Sequence, residues 1–205
     1  MNDDHRLPVL VHSVSRLRRL LPVLLLVACA TPPGNGDAVK DAAERPLDGL
    51  GTVIDLADPG EHEVVVVINN NAVLGNHAGL FAGARLSDPA GSYQNVRSQR
   101  PDWRQPGLAD YVAYQMVDGP RIQIYRFTLP EPQFSAVVAR LPEADRGMPL
   151  FCGAAVQNAI AGIGPFKDIA PIWWTSPADL ARLLDSLTGA QHAAGSCLWP
   201  DGLPC

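Results

Sequence analysis

Metal-ligand spacing, a glycine-rich phosphate loop and a cofactor signature are all missing from these 205 residues. Metal, nucleotide and redox-cofactor chemistry therefore have no motif to rest on, and neither a cofactor nor a metal is expected. Excess positive charge is missing too. Sixteen basic residues face 21 acidic ones, which is no electrostatic footprint for nucleic acid. No internal repeat and no low-complexity block occurs. Cysteine and histidine are scarce, at four and five residues. What the chain has in quantity is apolar: 47% hydrophobic against 18% charged. That is globular composition, at a length that suits one domain.

The first residues stand apart from that domain. Arg16, Arg18 and Arg19 form a positive flank, and Leu20 to Val27 is an apolar run too short to span a bilayer as a mature helix. The run ends at Leu26-Val27-Ala28-Cys29, which resembles a bacterial lipobox. The resemblance implies a signal peptide over 1–28, cleavage before Cys29 and acylation of that thiol, hence a membrane anchor. Losing 1–28 removes four arginines and two aspartates and leaves 12 basic against 19 acidic residues. Ala30 follows the acylated cysteine. An aspartate there would imply inner-membrane retention, so its absence leans towards the outer membrane, facing the periplasm. Residues 29–47, with Thr31-Pro32-Pro33-Gly34-Asn35-Gly36-Asp37, read as a tether. The expected domain spans 48–190, and 191–205 read as a tail.

With Cys29 acylated, Cys152, Cys197 and Cys205 remain, and three cannot all pair within one chain. Cys197 and Cys205 flank a turn-rich segment, Leu198 to Pro204. They could close a small loop in an oxidising envelope and leave Cys152 as a thiol. A bridge from Cys152 to either of the other two is the alternative.

Along the domain, Val53 to Leu56 is a weak strand signal, and Val64-Val65-Val66-Val67-Ile68 reads as a buried strand. His77 to Ala82 reads as the next strand, Ala84 to Leu86 begins another, and Arg121 to Leu129 is a further one. Residues 94–107 carry Arg97, Arg100 and Arg104 with two prolines and predict a surface loop with solvated charge. Leu108 to Met116 predicts a short helix. Three amphipathic helices follow from i, i+3, i+4, i+7 spacing at Phe134/Val137/Val138/Leu141, Val156/Ala159/Ile160/Ile163 and Leu180/Leu183/Leu184/Leu187. Ser176-Pro177-x-Asp179 marks the start of the last one. Together these predict an α+β domain, a mostly antiparallel sheet with packed helices.

The chemistry-bearing residues are Cys152 and His77. Cys152 opens the second amphipathic helix, where unpaired N–H groups and the positive helix end favour a thiolate and could hold an oxyanion. Gly153 beside it suggests room for a substrate carbonyl. His77 opens an apolar strand next to the small residues Ala78 and Gly79. His62, between two glutamates, reads as solvated, and His192 as incidental. Ile172-Trp173-Trp174 reads as core, a lid or an acyl-chain surface.

His77-Ala78-Gly79-Leu80-Phe81, then Asp88-Pro89-Ala90-Gly91-Ser92-Tyr93, then Phe151-Cys152-Gly153-Ala154-Ala155-Val156 resembles the circularly permuted branch of the papain-like hydrolases. That group includes the NlpC-type endopeptidases and the lecithin–retinol acyltransferase relatives. The similarity covers roughly residues 60–185 through short motifs in the right order. It implies a nucleophilic cysteine late in the chain at a helix start, a histidine on an earlier strand and a third polar residue on the next one. Those roles would fall on Cys152, His77 and Asp88, with Ser87, Asn76 and Gln123 as spare candidates for the third. The activity implied is cysteine hydrolysis of an amide, in peptidoglycan peptides for an envelope-anchored chain. A lipid-directed acyl hydrolase or acyltransferase, or a non-catalytic envelope lipoprotein, are the alternatives.

Overall fold

The computed structural model describes residues 55–89, 91–119, 121–144, 151–187 and 191–192. The β-branched run forms the centre of β1 (Glu63–Asn69), and all five residues from Val64 to Ile68 are buried. β2 (His77–Ala82) and β4 (Ile122–Thr128) flank it. Both pair antiparallel, so that Val66 stands between Leu80 and Tyr125. β3 (Arg85–Ser87) adds to β2, and the two-residue β5 (Gln191–His192) adds to β4, giving the order β3-β2-β1-β4-β5. Every pairing is antiparallel. The first two residues of the expected tail thus lie on the sheet, with His192 opposite Tyr125.

Alternation along the strands splits the core in two. Val64, Val66 and Ile68 join Ala78, Leu80 and Ala82 on one face. Three helices cover them: α3 (Glu131–Ala144), α4 (Cys152–Ile160) and α5 (Pro177–Asp185). Val65, Val67, Phe81, Ile122 and Ile124 face the other way. They pack on α1 (Tyr93–Arg97) and α2 (Leu108–Gln115). Cover on both faces is why β1 shows no polar alternation, and each such side chain contributes about 1.5–3 kcal/mol by burial.

The helical spacings hold with earlier stops than the apolar pattern suggests. α4 ends at Ile160, because Ala161 turns extended, and Ile163 is buried beyond it. α5 ends at Asp185, two residues short of Leu187. Its start follows the sequence signal. Ser176 Oγ accepts the Asp179 N–H at 3.0 Å and donates to Asp179 Oδ2 at 2.7 Å. The hydroxyl and then Arg182 hold the Asp179 carboxyl below its ordinary value, against the cost of its burial.

Two expectations about secondary structure need correction. Residues 94–107 are not simply a solvated loop, for α1 occupies Tyr93–Arg97 and Arg97 is 0% exposed. Its Nε donates to both oxygens of Asp110 on α2, at 3.1 and 3.0 Å. The guanidinium lies 4.9 Å from the centre of the Tyr114 ring. A charge can be buried when a carboxylate and aromatic faces replace its water. Arg104 does remain in an exposed loop, donating to the carbonyls of Pro101 and Trp103. The expected strand over 53–56 also fails where it is described. Asp55 and Leu56 are not in a strand, and the Asp55 carbonyl accepts Arg126 Nη2 at 3.1 Å. Val53 and Ile54 lie outside the described residues.

Candidate active site

The register of β2 and β3 brings His77 and Asp88 together. Leu80 pairs with Ser87 and Phe81 with Leu86, so one step further sets Asp88 opposite Gly79. His77, Gly79 and Phe81 share a face by alternation. His77 Nε2 lies 2.5 Å from Asp88 Oδ1, with both side chains almost wholly buried. With Nε2 so engaged, Nδ1 is the ring nitrogen left for a second partner.

Asp88 is densely supported. Tyr111 on α2 donates its hydroxyl to Asp88 Oδ1 at 2.8 Å, and the Tyr93 N–H reaches Oδ2 at 3.3 Å. Burial alone would raise the carboxyl pKa. The charge and hydrogen bond of His77, with the Tyr111 and Tyr93 donors, outweigh it and hold the group below the ordinary carboxylate range.

Cys152 is the first residue of α4 and a buried thiol, 1% exposed. The first rung of the helix runs from the Ala155 N–H to the Phe151 carbonyl at 3.0 Å, so Cys152, Gly153 and Ala154 precede the ladder. α4 packs on the Ala78–Leu80 face of β2, whereas His77 belongs to the opposite face. The start of α5 nevertheless touches the neighbourhoods of both, at one end of the sheet. A Cβ built on Gly153 would lie 2.5 Å from the Thr175 carbonyl oxygen, and one on Gly75 would lie 2.7 Å from Pro177 Cβ. The Ala178 N–H donates to the Leu74 carbonyl at 3.1 Å. Residues 175–178 thus touch both the neighbour of Cys152 and the turn leading into His77. Cys152 also acts on Tyr111, whose pKa is raised well above normal. Burial is the main cause, followed by the Asp88 charge and hydrogen bond and then the Cys152 charge.

The absent side chain of Gly153 has a different use from the one its sequence suggests. Its space is filled by the Thr175–Ser176 backbone, not left open for a substrate carbonyl. Among the spare third residues, Gln123 is engaged with Asn70 and Tyr125. Ser87 pairs with Leu80 on the far face, and the Asn76 backbone N–H closes onto the Asn69 carbonyl at 2.7 Å. Asp88 is the candidate that bonds His77. His62 is half-buried rather than solvated, 2.6 Å from Glu131 and against the Phe134 ring. Cys29, Cys197 and Cys205 lie outside the described residues, and with them the acylation and the C-terminal bridge.

Sequence reasoning missed Tyr111 and the close contacts at Gly75 and Gly153. The small residues Ala78 and Gly79 did signal that another group comes close to this strand, and at Gly79 that group is the Tyr111 hydroxyl. The tryptophans are also not core. Trp173 is 73% exposed, and Ile172 and Trp174 are exposed beside it. Trp174 meets the ring of Phe151, the residue before Cys152, edge-on at 5.8 Å. Exposed Val73 and Leu74 approach the same start of α5. An open groove of about 540 Å³ lies at the other end of β2, lined by Gly83, Arg85 and Phe134, and includes none of these residues. Among the described residues no group of three or more His, Cys, Asp or Glu could hold a metal ion, and no helix is long and apolar enough to cross a membrane.

No family model, curated protein or solved structure matches the chain.

Proposed function

We propose that this chain is a permuted papain-like cysteine hydrolase, anchored to the bacterial envelope through Cys29, that cleaves an amide bond in peptidoglycan peptides. The observation that carries this reading is the buried His77 Nε2–Asp88 Oδ1 contact at 2.5 Å, at the same end of the sheet as a thiol in the first turn of a helix. A carboxylate on one ring nitrogen fixes the tautomer and supports the imidazolium that forms during catalysis.

In the proposed reaction His77 Nδ1 takes the Cys152 proton, and the sulfur attacks the carbonyl carbon. The electron pair displaced onto oxygen is held by N–H groups of the first turn of α4. Collapse breaks the C–N bond as the imidazolium gives its proton to the leaving amine, leaving a thioester. His77 then takes a proton from water as its oxygen attacks the thioester carbon, and collapse breaks the C–S bond, releasing the carboxylic acid as the imidazolium returns its proton to the sulfur. Incubation of purified protein and a Cys152→Ala variant with muropeptides tests this. New products from the wild type alone are expected, and identical product profiles would discard it.

One observation favours a second reading, a lipid-directed acyl hydrolase or acyltransferase on the same residues. Ile172, Trp173 and Trp174 are exposed in succession, with Trp174 against the Phe151 ring beside Cys152, and large apolar side chains side by side in water mark a binding surface. A screen with phospholipids and acyl esters separates the two.

A further inference from the structure

The phenol of Tyr111 is buried on the α2 side of the sheet, where a hydroxyl is costly unless bonded. It shares Asp88 Oδ1 with His77. A carboxylate turns readily about its last torsion. Here Oδ1 is held by two side chains and Oδ2 by the Tyr93 N–H. We infer that Tyr111 is a positioning residue: its hydroxyl fixes the orientation of Asp88 and, through Asp88, which nitrogen of His77 is left for a second partner.

The surroundings of Tyr111 are shaped for that bond. Its ring meets Phe81 edge-on at 5.5 Å and Tyr93 at 5.1 Å. Its hydroxyl occupies the space where a side chain at position 79 would stand, since a Cβ there would collide with it. Glycine opposite Asp88 thus leaves a path for the phenol to reach the carboxylate. The groups facing Asp88 are His77 from β2, Tyr111 from α2 and the backbone of Tyr93 from α1. Cys152 from α4 acts on Tyr111. The consequence for turnover rests on the hydrolase reading, whereas the contact itself does not.

Tyr111→Phe keeps the ring and its edge contacts and removes only the donor. Two readouts on the full mature chain decide the matter. The first is the pH titration of the Asp88 carboxyl carbon and the His77 ring nitrogens by NMR. The second is the pH dependence of Cys152 alkylation by iodoacetamide. In the variant the Asp88 titration should move to higher pH and the His77 nitrogens towards a mixture of tautomers. The acid limb of alkylation should follow, about tenfold slower at the wild-type midpoint, as loss of one hydrogen bond to a charged group implies. Gly79→Ala should act the same way by displacing the phenol. In the wild type itself, the Tyr111 hydroxyl proton should be protected from exchange. Superimposable Asp88 and His77 titrations in wild type and Tyr111→Phe would overturn the inference. So would a Tyr111 hydroxyl that exchanges as if in water, should the variants fail to fold. A wild-type Cys152 that alkylates like an ordinary thiol defeats the hydrolase reading instead, and the NMR comparison still decides the role of Tyr111.

Discussion

Gly153 and Thr175 touch through a gap that only glycine leaves: a Cβ at 153 would stand 2.5 Å from the Thr175 carbonyl oxygen, with the Ser176 backbone 2.7 Å away. Both partners are backbone and neither can swing aside. Gly153→Ala should therefore force α4 and the start of α5 apart, at a cost of about 1–3 kcal/mol typical of overpacking. A lower urea midpoint checks the stability effect. Because Cys152 is the adjacent residue, its alkylation rate should change in the same variant.

His77→Ala tests whether the thiol depends on the imidazole. Removing a base that holds a thiolate should slow alkylation of Cys152 by iodoacetamide at neutral pH by about 10²-fold, read by mass spectrometry of the intact chain. The wild-type rate also measures access, because Cys152 is 1% exposed. Equal rates in wild type and variant would mean that Cys152 is a structural thiol, as in the non-catalytic alternative.

Much of this arrangement was legible because it is local. A β-branched run long enough for one strand predicts β1, and Ser176 with Pro177 and Asp179 predicts the start of α5, since a cap is made by neighbours in sequence. Asp88 was within reach because a short hairpin carries it back beside His77. What could not be read depends on distant partners. Arg97 among other arginines looks like solvated charge until Asp110, Tyr93 and Tyr114 fold around it. Tyr111 looks like one more apolar helix residue until the opposite strand offers a carboxylate and an empty glycine position. Gly153 looks like space for a ligand until another helix start fills it.

The Arg97–Asp110 pair should be a large local determinant of stability. Asp110 receives Arg97 Nε on both oxygens and the Tyr93 hydroxyl at 2.8 Å. Asp110→Ala strips a carboxylate from a guanidinium with no exposure of its own. Breaking a buried pair costs about 3–5 kcal/mol. Asp110 is about one-third exposed, which sets the expectation below that range, at about 2–3 kcal/mol. Urea denaturation at neutral pH reads this directly, and a change under 0.5 kcal/mol would place the pair among ordinary surface contacts.

Acid stability should carry the mark of Asp88. Its folded-state pKa lies below the ordinary value, because His77, Tyr111 and Tyr93 outweigh the effect of burial. A carboxyl lowered on folding contributes stability that is complete above its unfolded pKa of about 3.9 and is lost as the pH falls through the lower folded value. Asp88→Asn removes that titration. The variant should be less stable than wild type at pH 6, and its urea midpoint should fall less between pH 5 and pH 2.5. Parallel losses in the two proteins over that window would show that Asp88 does not carry the acid dependence.

The exposed rim offers a way to separate the two substrate readings without disturbing the fold. Trp173 is 73% exposed, so Trp173→Ser should change stability by no more than about 0.5 kcal/mol. A change in KM then reports contact with substrate rather than damage to the core. Cleavage of a soluble muropeptide, which needs the Cys152–His77 end of the sheet but no apolar surface, should proceed with KM unchanged. Turnover of a long-chain acyl ester would rely on the tryptophan face, and its KM should rise several-fold as buried apolar contact is lost at about 25 cal/mol per Å². Loss on the ester with no loss on the peptide assigns Ile172 to Trp174 to acyl chains. Equal, unchanged KM on both substrates would leave this rim outside the reaction.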